Sequence, residues 1–143
     1  MRYKMNAQNL FNSIRSSAPR EVPRVSRDPH WAQEADLAYY VYPRFLLHRL
    51  NQQICDQLYF SWEKPSDFEP LCVYLATTHH WELTAARKLT EDQLIDILRP
   101  ELKVLRLDAA DVLGFVAASG DCAGEDLVQD LRSRAPDLDS PDQ

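Results

Sequence analysis

The residue types best suited to chemistry in this chain of 143 residues are three cysteines and four histidines. Their densest local set is Cys72, His79 and His80, in the stretch "LCVYLATTHHWELTAARKL" over 71–89. Thiolate and imidazole are zinc ligands, and a Cys–His pair is also the core of many nucleophilic sites. Spacing argues against the metal, and a Cys–His pair needs an adjacency in space that spacing does not show. Cys72 and His79 share a helix face but stand about 10 Å apart along the axis, at ~1.5 Å per residue. One ion with bonds near ~2 Å cannot take both unless the helix breaks between them. His79 and His80 diverge by about 100° on a helix. No HExxH motif and no His pair at i, i+4 occurs. Cys72, His79 and His80 are therefore weak metal candidates, and the expectation is no metal and no cofactor.

Other catalytic patterns are equally thin. Gly114, Gly120 and Gly124 are the only glycines, and they do not make a phosphate loop. The acid pairs Glu91–Asp92 and Glu125–Asp126 fall where helices should begin, so the helix dipole accounts for them. No catalytic residue is expected, and the sequence favours a non-enzyme. An enzyme whose site assembles non-locally around His79, His80 or Cys72 is the alternative.

Aromatic residues offer a different chemistry. "AYYVYPRF" over 38–45 and "LYFSW" over 58–62 hold seven rings at the two ends of one apolar stripe, Leu47, Leu50, Ile54 and Leu58. The leucines already supply a core, so some rings should remain on the surface. Tyr, Trp and Arg are the types that dominate binding hot spots. The expected partner-binding residues are Tyr39, Tyr40, Tyr42, Arg44 and Phe45, with Arg20, Arg24 and Arg27 of a nearby basic segment.

Charge is polarised along the chain. Residues 1–50 carry eight Lys/Arg against four Asp/Glu, residues 51–100 four against eight, and residues 101–143 four against ten, for a net charge of −6. An acidic body repels phosphates, so nucleic acid is disfavoured except through the N-terminal arm. "KLTEDQLIDILRPELKVLRL" has the outline of a helix-turn-helix. Its second segment, however, offers only Lys103 and Arg106 to DNA. Partners are expected to be another protein or further copies of the chain, without a membrane, since no window approaches about 18 consecutive apolar residues. The N-terminus has no apolar leader, and Cys55, Cys72 and Cys122 are odd in number with no CxxC pair. Together these point to reduced thiols and a cytoplasmic location.

These residues must be positioned by helices. Glycine is scarce, Leu and Ala are abundant, and apolar/polar alternation is rare. The expected fold is all-α, a compact bundle of six to eight short helices with an extended basic N-terminal arm. Residues 1–29 form that arm and its Pro/Arg-rich connector, 30–134 a single helical domain, and 135–143 an acidic flexible tail.

Asn6 caps a helix over 6–17. A short helix over 30–40 follows, with Asp28 as cap and Pro29 in its first turn. Pro43 opens a long helix that stops near Lys64–Pro65. Ser66–Glu69 and Thr90–Gln93 read as capping boxes. Arg99–Pro100 ends or kinks a helix, with a short strand over 102–107 as the alternative to its continuation. Asp108 opens a helix closed by Gly120, and a last helix covers about 125–134. The function expected from all this is a non-enzymatic protein-binding module: a small acidic adaptor, inhibitor or chaperone-like subunit. A nucleic-acid-associated regulator using the arginine connector stands as the alternative to it.

Overall fold

The computed structural model describes residues 4–19, 32–120 and 123–136, with backbone alone at 32–35. Most of the arm and connector, including Arg20, Arg24 and Arg27, lies outside the described residues, as do Cys122 and the tail beyond Pro136. Among those described the chain is all-helical, with no strand. Its elements are α1 (Ala7–Ser16), α2 (Ala32–Leu58), α3 (Glu69–Thr78), α4 (Leu83–Ala86), α5 (Glu91–Ile97), α6 (Arg99–Val104), α7 (Ala109–Ser119) and α8 (Glu125–Ser133). They form two compact units. One comprises Leu46–Lys103 with Met1–Lys4, the other Met5–Phe45 with Val104–Gln143.

Helix starts follow local chemistry. The Asn6 side chain accepts the Asn9 N–H at 2.8 Å. Thr90 and Gln93 form a reciprocal box, each side chain bonded to the other's backbone, at 3.2 and 2.9 Å. Asp108 accepts the Asp111 N–H at 2.8 Å. Each such cap satisfies a donor that the first helical turn cannot. α7 ends at Gly120, whose φ of 62° costs a glycine little.

Three expectations are corrected, and one alternative is decided. The helix over 30–40 and the one opened by Pro43 are a single helix, α2, with Pro43 inside it. Proline removes the N–H that would bond the Tyr39 carbonyl, a loss of about 3 kcal/mol in a helix interior. Burial on both sides of the proline offsets it: Val41, Phe45 and Leu47 are each fully buried. The Arg44 guanidinium also donates to the Tyr40 carbonyl at 3.0 Å. At its other end α2 stops at Leu58, short of Lys64. The Ser66–Glu69 box does not form: α3 begins at Glu69 with Phe68 as its N-cap and no side-chain cap, and the Glu69 carboxylate pairs with Arg87 at 2.6 Å. The strand over 102–107 is absent. α6 runs to Val104, and Leu107 then gives its N–H to the Arg134 carbonyl at 2.9 Å instead of to a neighbouring strand.

In the unit holding α1, α7 and α8, the core centres on Phe115. Its ring meets Phe11 and Phe45 edge-on at 5.0 Å and Tyr42 at 5.4 Å. In the other unit the core is aliphatic: Leu47, Leu71, Leu75, Leu94 and Leu98 are almost wholly buried.

Candidate functional site

α3 is continuous from Glu69 to Thr78, which settles the geometry of the Cys72–His79 set. His79 is its C-cap, and His80 turns the chain with a left-handed φ of 60°. His is among the few non-glycine types that tolerate this region. The turn brings the Trp81 N–H back to the Leu75 carbonyl at 3.1 Å, where the His79 N–H also donates. Cys72 points elsewhere, its thiol donating to the Ala86 carbonyl at 3.5 Å. Burial, reinforced by the Glu69 charge, pushes that thiol's pKa up. A protonated thiol is neither nucleophile nor ligand.

His79 instead meets Glu101 of α6, Nε2 to Oε1 at 2.8 Å. Tyr74 donates to the same oxygen at 3.4 Å, and its ring sits edge-on to His79 at 5.6 Å. Burial and then Glu101 raise the Tyr74 phenol. Thus Cys72 and His79 go to different partners. Among the described residues no three of His, Cys, Asp and Glu are placed to hold a metal.

The residues expected to bind a partner divide sharply. Phe45 is fully buried against Phe115 and belongs to the core. Tyr39 and Tyr42 share a face of α2, and Asp126 and Asp130 share a face of α8. The Tyr39 hydroxyl donates to Asp126 and the Tyr42 hydroxyl to Asp130. A Cβ added at Gly124 would strike the Tyr39 hydroxyl and the Asp126 carboxylate, so a side chain there would have to displace this pair. Burial foremost, with Asp126, pushes the Tyr39 phenol up to about 12. The Tyr42 phenol is also raised, by burial and then Asp130. Tyr40 lies under Arg44, whose guanidinium carbon is 3.7 Å from the ring centroid. The tyrosine hydroxyls at 39 and 42 are thus engaged within their own unit, while Tyr40 and Arg44 form a half-buried cation–π pair.

Exposed rings lie in the other aromatic stretch. Where α2 stops at Leu58, a turn follows in which the Phe60 N–H bonds the Glu63 carboxylate at 2.8 Å and the Glu63 N–H bonds the Phe60 carbonyl at 3.0 Å. The turn holds Phe60 and Trp62 ring on ring, with centroids 4.8 Å apart and planes 6° apart. Phe60 is 65 % exposed and Trp62 73 %, and Leu58 beside them is 47 % exposed. The local signal was present: these rings alternate with polar residues in "FSWEKPSD", beyond the last turn of the leucine stripe. Glu101, Asp126 and Asp130 carried no such signal, since the tyrosines and histidine they meet are 22 to 88 positions away.

No family model, curated protein or solved structure matches the chain.

Proposed function

We propose that the protein is a binding module for another protein, a small acidic adaptor, inhibitor or chaperone-like subunit, and that Leu58, Phe60 and Trp62 form its contact surface. The observation that carries this reading is the exposed Phe60–Trp62 stack. Each such ring can bury about 150–250 Å². At ~25 cal/mol per Å², folding leaves roughly 2–4 kcal/mol of burial unused per ring. Aromatic residues held rigid on a surface are the usual anchors of an interface. The neutral Cys72 thiol and its separation from His79 favour binding over catalysis at that junction.

The test is affinity capture with wild type and a Phe60→Ala/Trp62→Ala variant, read by mass spectrometry. Both rings are exposed, so the variant should melt like wild type. A partner protein recovered with wild type and lost with the variant is the expected result. Identical recoveries from the two would overturn the assignment of this surface.

A further inference from the structure

α3 opens with little local help. Its N-cap is Phe68, and no side chain caps it. Asp67, one position earlier, holds a left-handed φ of 47°, which any residue but glycine adopts at some cost. Two contacts from α2 fasten this turn. His48 and Asn51, three positions apart, share one face of that helix. The His48 and Phe68 rings have centroids 4.9 Å apart, and the Asn51 amide donates to the Asp67 carbonyl at 3.1 Å. His48, Asn51, Asp67 and Phe68 all belong to the Leu46–Lys103 unit. The joint has little in reserve, because the Asn51 Oδ1 is buried with no hydrogen-bond donor among the described residues.

His48 suits this joint while it is neutral. The side chain is half-buried. Burial foremost, and then Arg49, holds its imidazole below the ordinary 6.5. Arg49 is itself only 4 % exposed, so water screens a second cation beside it poorly. From α3 the group that faces His48 is the Phe68 ring. Of the carboxylates flanking that ring, Asp67 is exposed and Glu69 is paired with Arg87. A charged imidazole gains something from an aromatic face. Lost hydration and the Arg49 charge outweigh that gain here.

We infer that the α2–α3 joint is acid-labile: protonation of His48 releases Phe68 and the 66–68 turn from α2 and frays the first turn of α3. Above about pH 6.5 the open and closed forms carry the same charge. Below it the open form takes up a proton that the closed form resists. The joint therefore holds above 6.5 and weakens as pH falls from there toward the lowered value. The released turn ends the connection that also carries Phe60 and Trp62. The joint acts whether or not those rings bind a partner.

Amide hydrogen exchange by NMR on the full chain tests this. The Glu69 N–H bonds the Ser66 carbonyl and the Cys72 N–H the Phe68 carbonyl, both at 3.1 Å. The Leu94 N–H, bonded to the Thr90 carbonyl at 2.9 Å behind the Thr90–Gln93 box, is the internal reference. With intrinsic rates corrected, protection at Glu69 and Cys72 should fall relative to Leu94 between about pH 7.5 and about pH 5. His48→Phe keeps a ring against Phe68 and cannot charge. His48→Gln is neutral and lacks the ring. Neither should lose protection with pH, although the Gln variant should start lower. Asn51→Ala should also start lower and keep the wild-type pH dependence. In wild type the His48 ring protons should titrate below 6.5. A His48 midpoint at or above 6.5 would overturn the acid release. So would Cys72 protection that tracks Leu94 over the whole range, or a loss in His48→Phe equal to that of wild type.

Discussion

Tyr42 accepts a hydrogen bond from the Arg134 Nε at 2.9 Å while donating its own proton to Asp130. Arg134 is only 8 % exposed. It also reaches Asp130 at 3.1 Å and the Leu105 carbonyl at 3.0 Å. One phenol therefore ties α2 to the last turn of α8, and one guanidinium ties that turn to the segment after α6. Removing the Tyr42 hydroxyl leaves a buried cation short of an acceptor and Asp130 short of a donor. Tyr42→Phe should cost about 1–3 kcal/mol in urea unfolding. Arg134→Met should cost a similar amount, and the double variant clearly less than the sum, because both changes break the same bond. Strict additivity would mean that the two side chains do not act as one unit.

The Tyr39–Asp126 bond gives α8 a dependence on pH at both extremes. Its phenol has a folded pKa of about 12 against an ordinary 10.0. A raised folded value means that the contribution is complete below pH 10.0 and is lost as pH rises toward 12. The Asp126 carboxyl is lowered from 3.8, first by the Tyr39 hydrogen bond and then by the Leu127 N–H. Its contribution is complete above that value and is lost as pH falls through the lowered one. Thermal melts of wild type should therefore weaken on both flanks, and Tyr39→Phe should flatten part of each. The alkaline change will be incomplete, since burial also raises Tyr42, Tyr59 and Tyr74. An alkaline limb identical in Tyr39→Phe and wild type would argue against the bond.

Close approach of α1 to α7 makes Gly114 indispensable in an otherwise helix-favouring segment. A Cβ at 114 would stand 2.6 Å from the Ala7 Cβ. Propensity alone favours Ala over Gly by about 1 kcal/mol. Overpacking a tight contact costs about 1–3 kcal/mol. The clash should win, so Gly114→Ala should destabilise. Ala7→Gly in the same chain removes the opposing methyl and should restore much of the loss. Chemical denaturation of the single and double variants measures both effects, and a Gly114→Ala protein more stable than wild type would contradict the packing.

Local rules made much of the fold legible. Asn6, the Thr90–Gln93 box, Asp108 and Gly120 mark helix ends where the structure has them. A cap is decided by residues three or four positions away, which the sequence displays directly. The Ser66–Glu69 box had the same letters and failed: α3 starts at Glu69 behind Phe68, and the carboxylate goes to Arg87, 18 positions on. The Tyr39–Phe45 stretch shows the same limit. Its composition marks it as unusual, yet two of its hydroxyls are claimed by α8, 87 and 88 positions away.

By itself, then, the sequence determined an all-helical fold over the described residues, the caps that start several of its helices, its uneven charge, and the axial gap between Cys72 and His79. All of these depend on near neighbours and on the fixed rise of a helix. Only the tertiary structure decided that α2 runs through Pro43, that Phe45 is core while Phe60 and Trp62 stay in solvent, and that His79 turns to Glu101. Those outcomes depend on which remote surfaces meet. Burial there outweighs a proline's helix penalty, and one carboxylate takes a partner that spacing alone does not reveal.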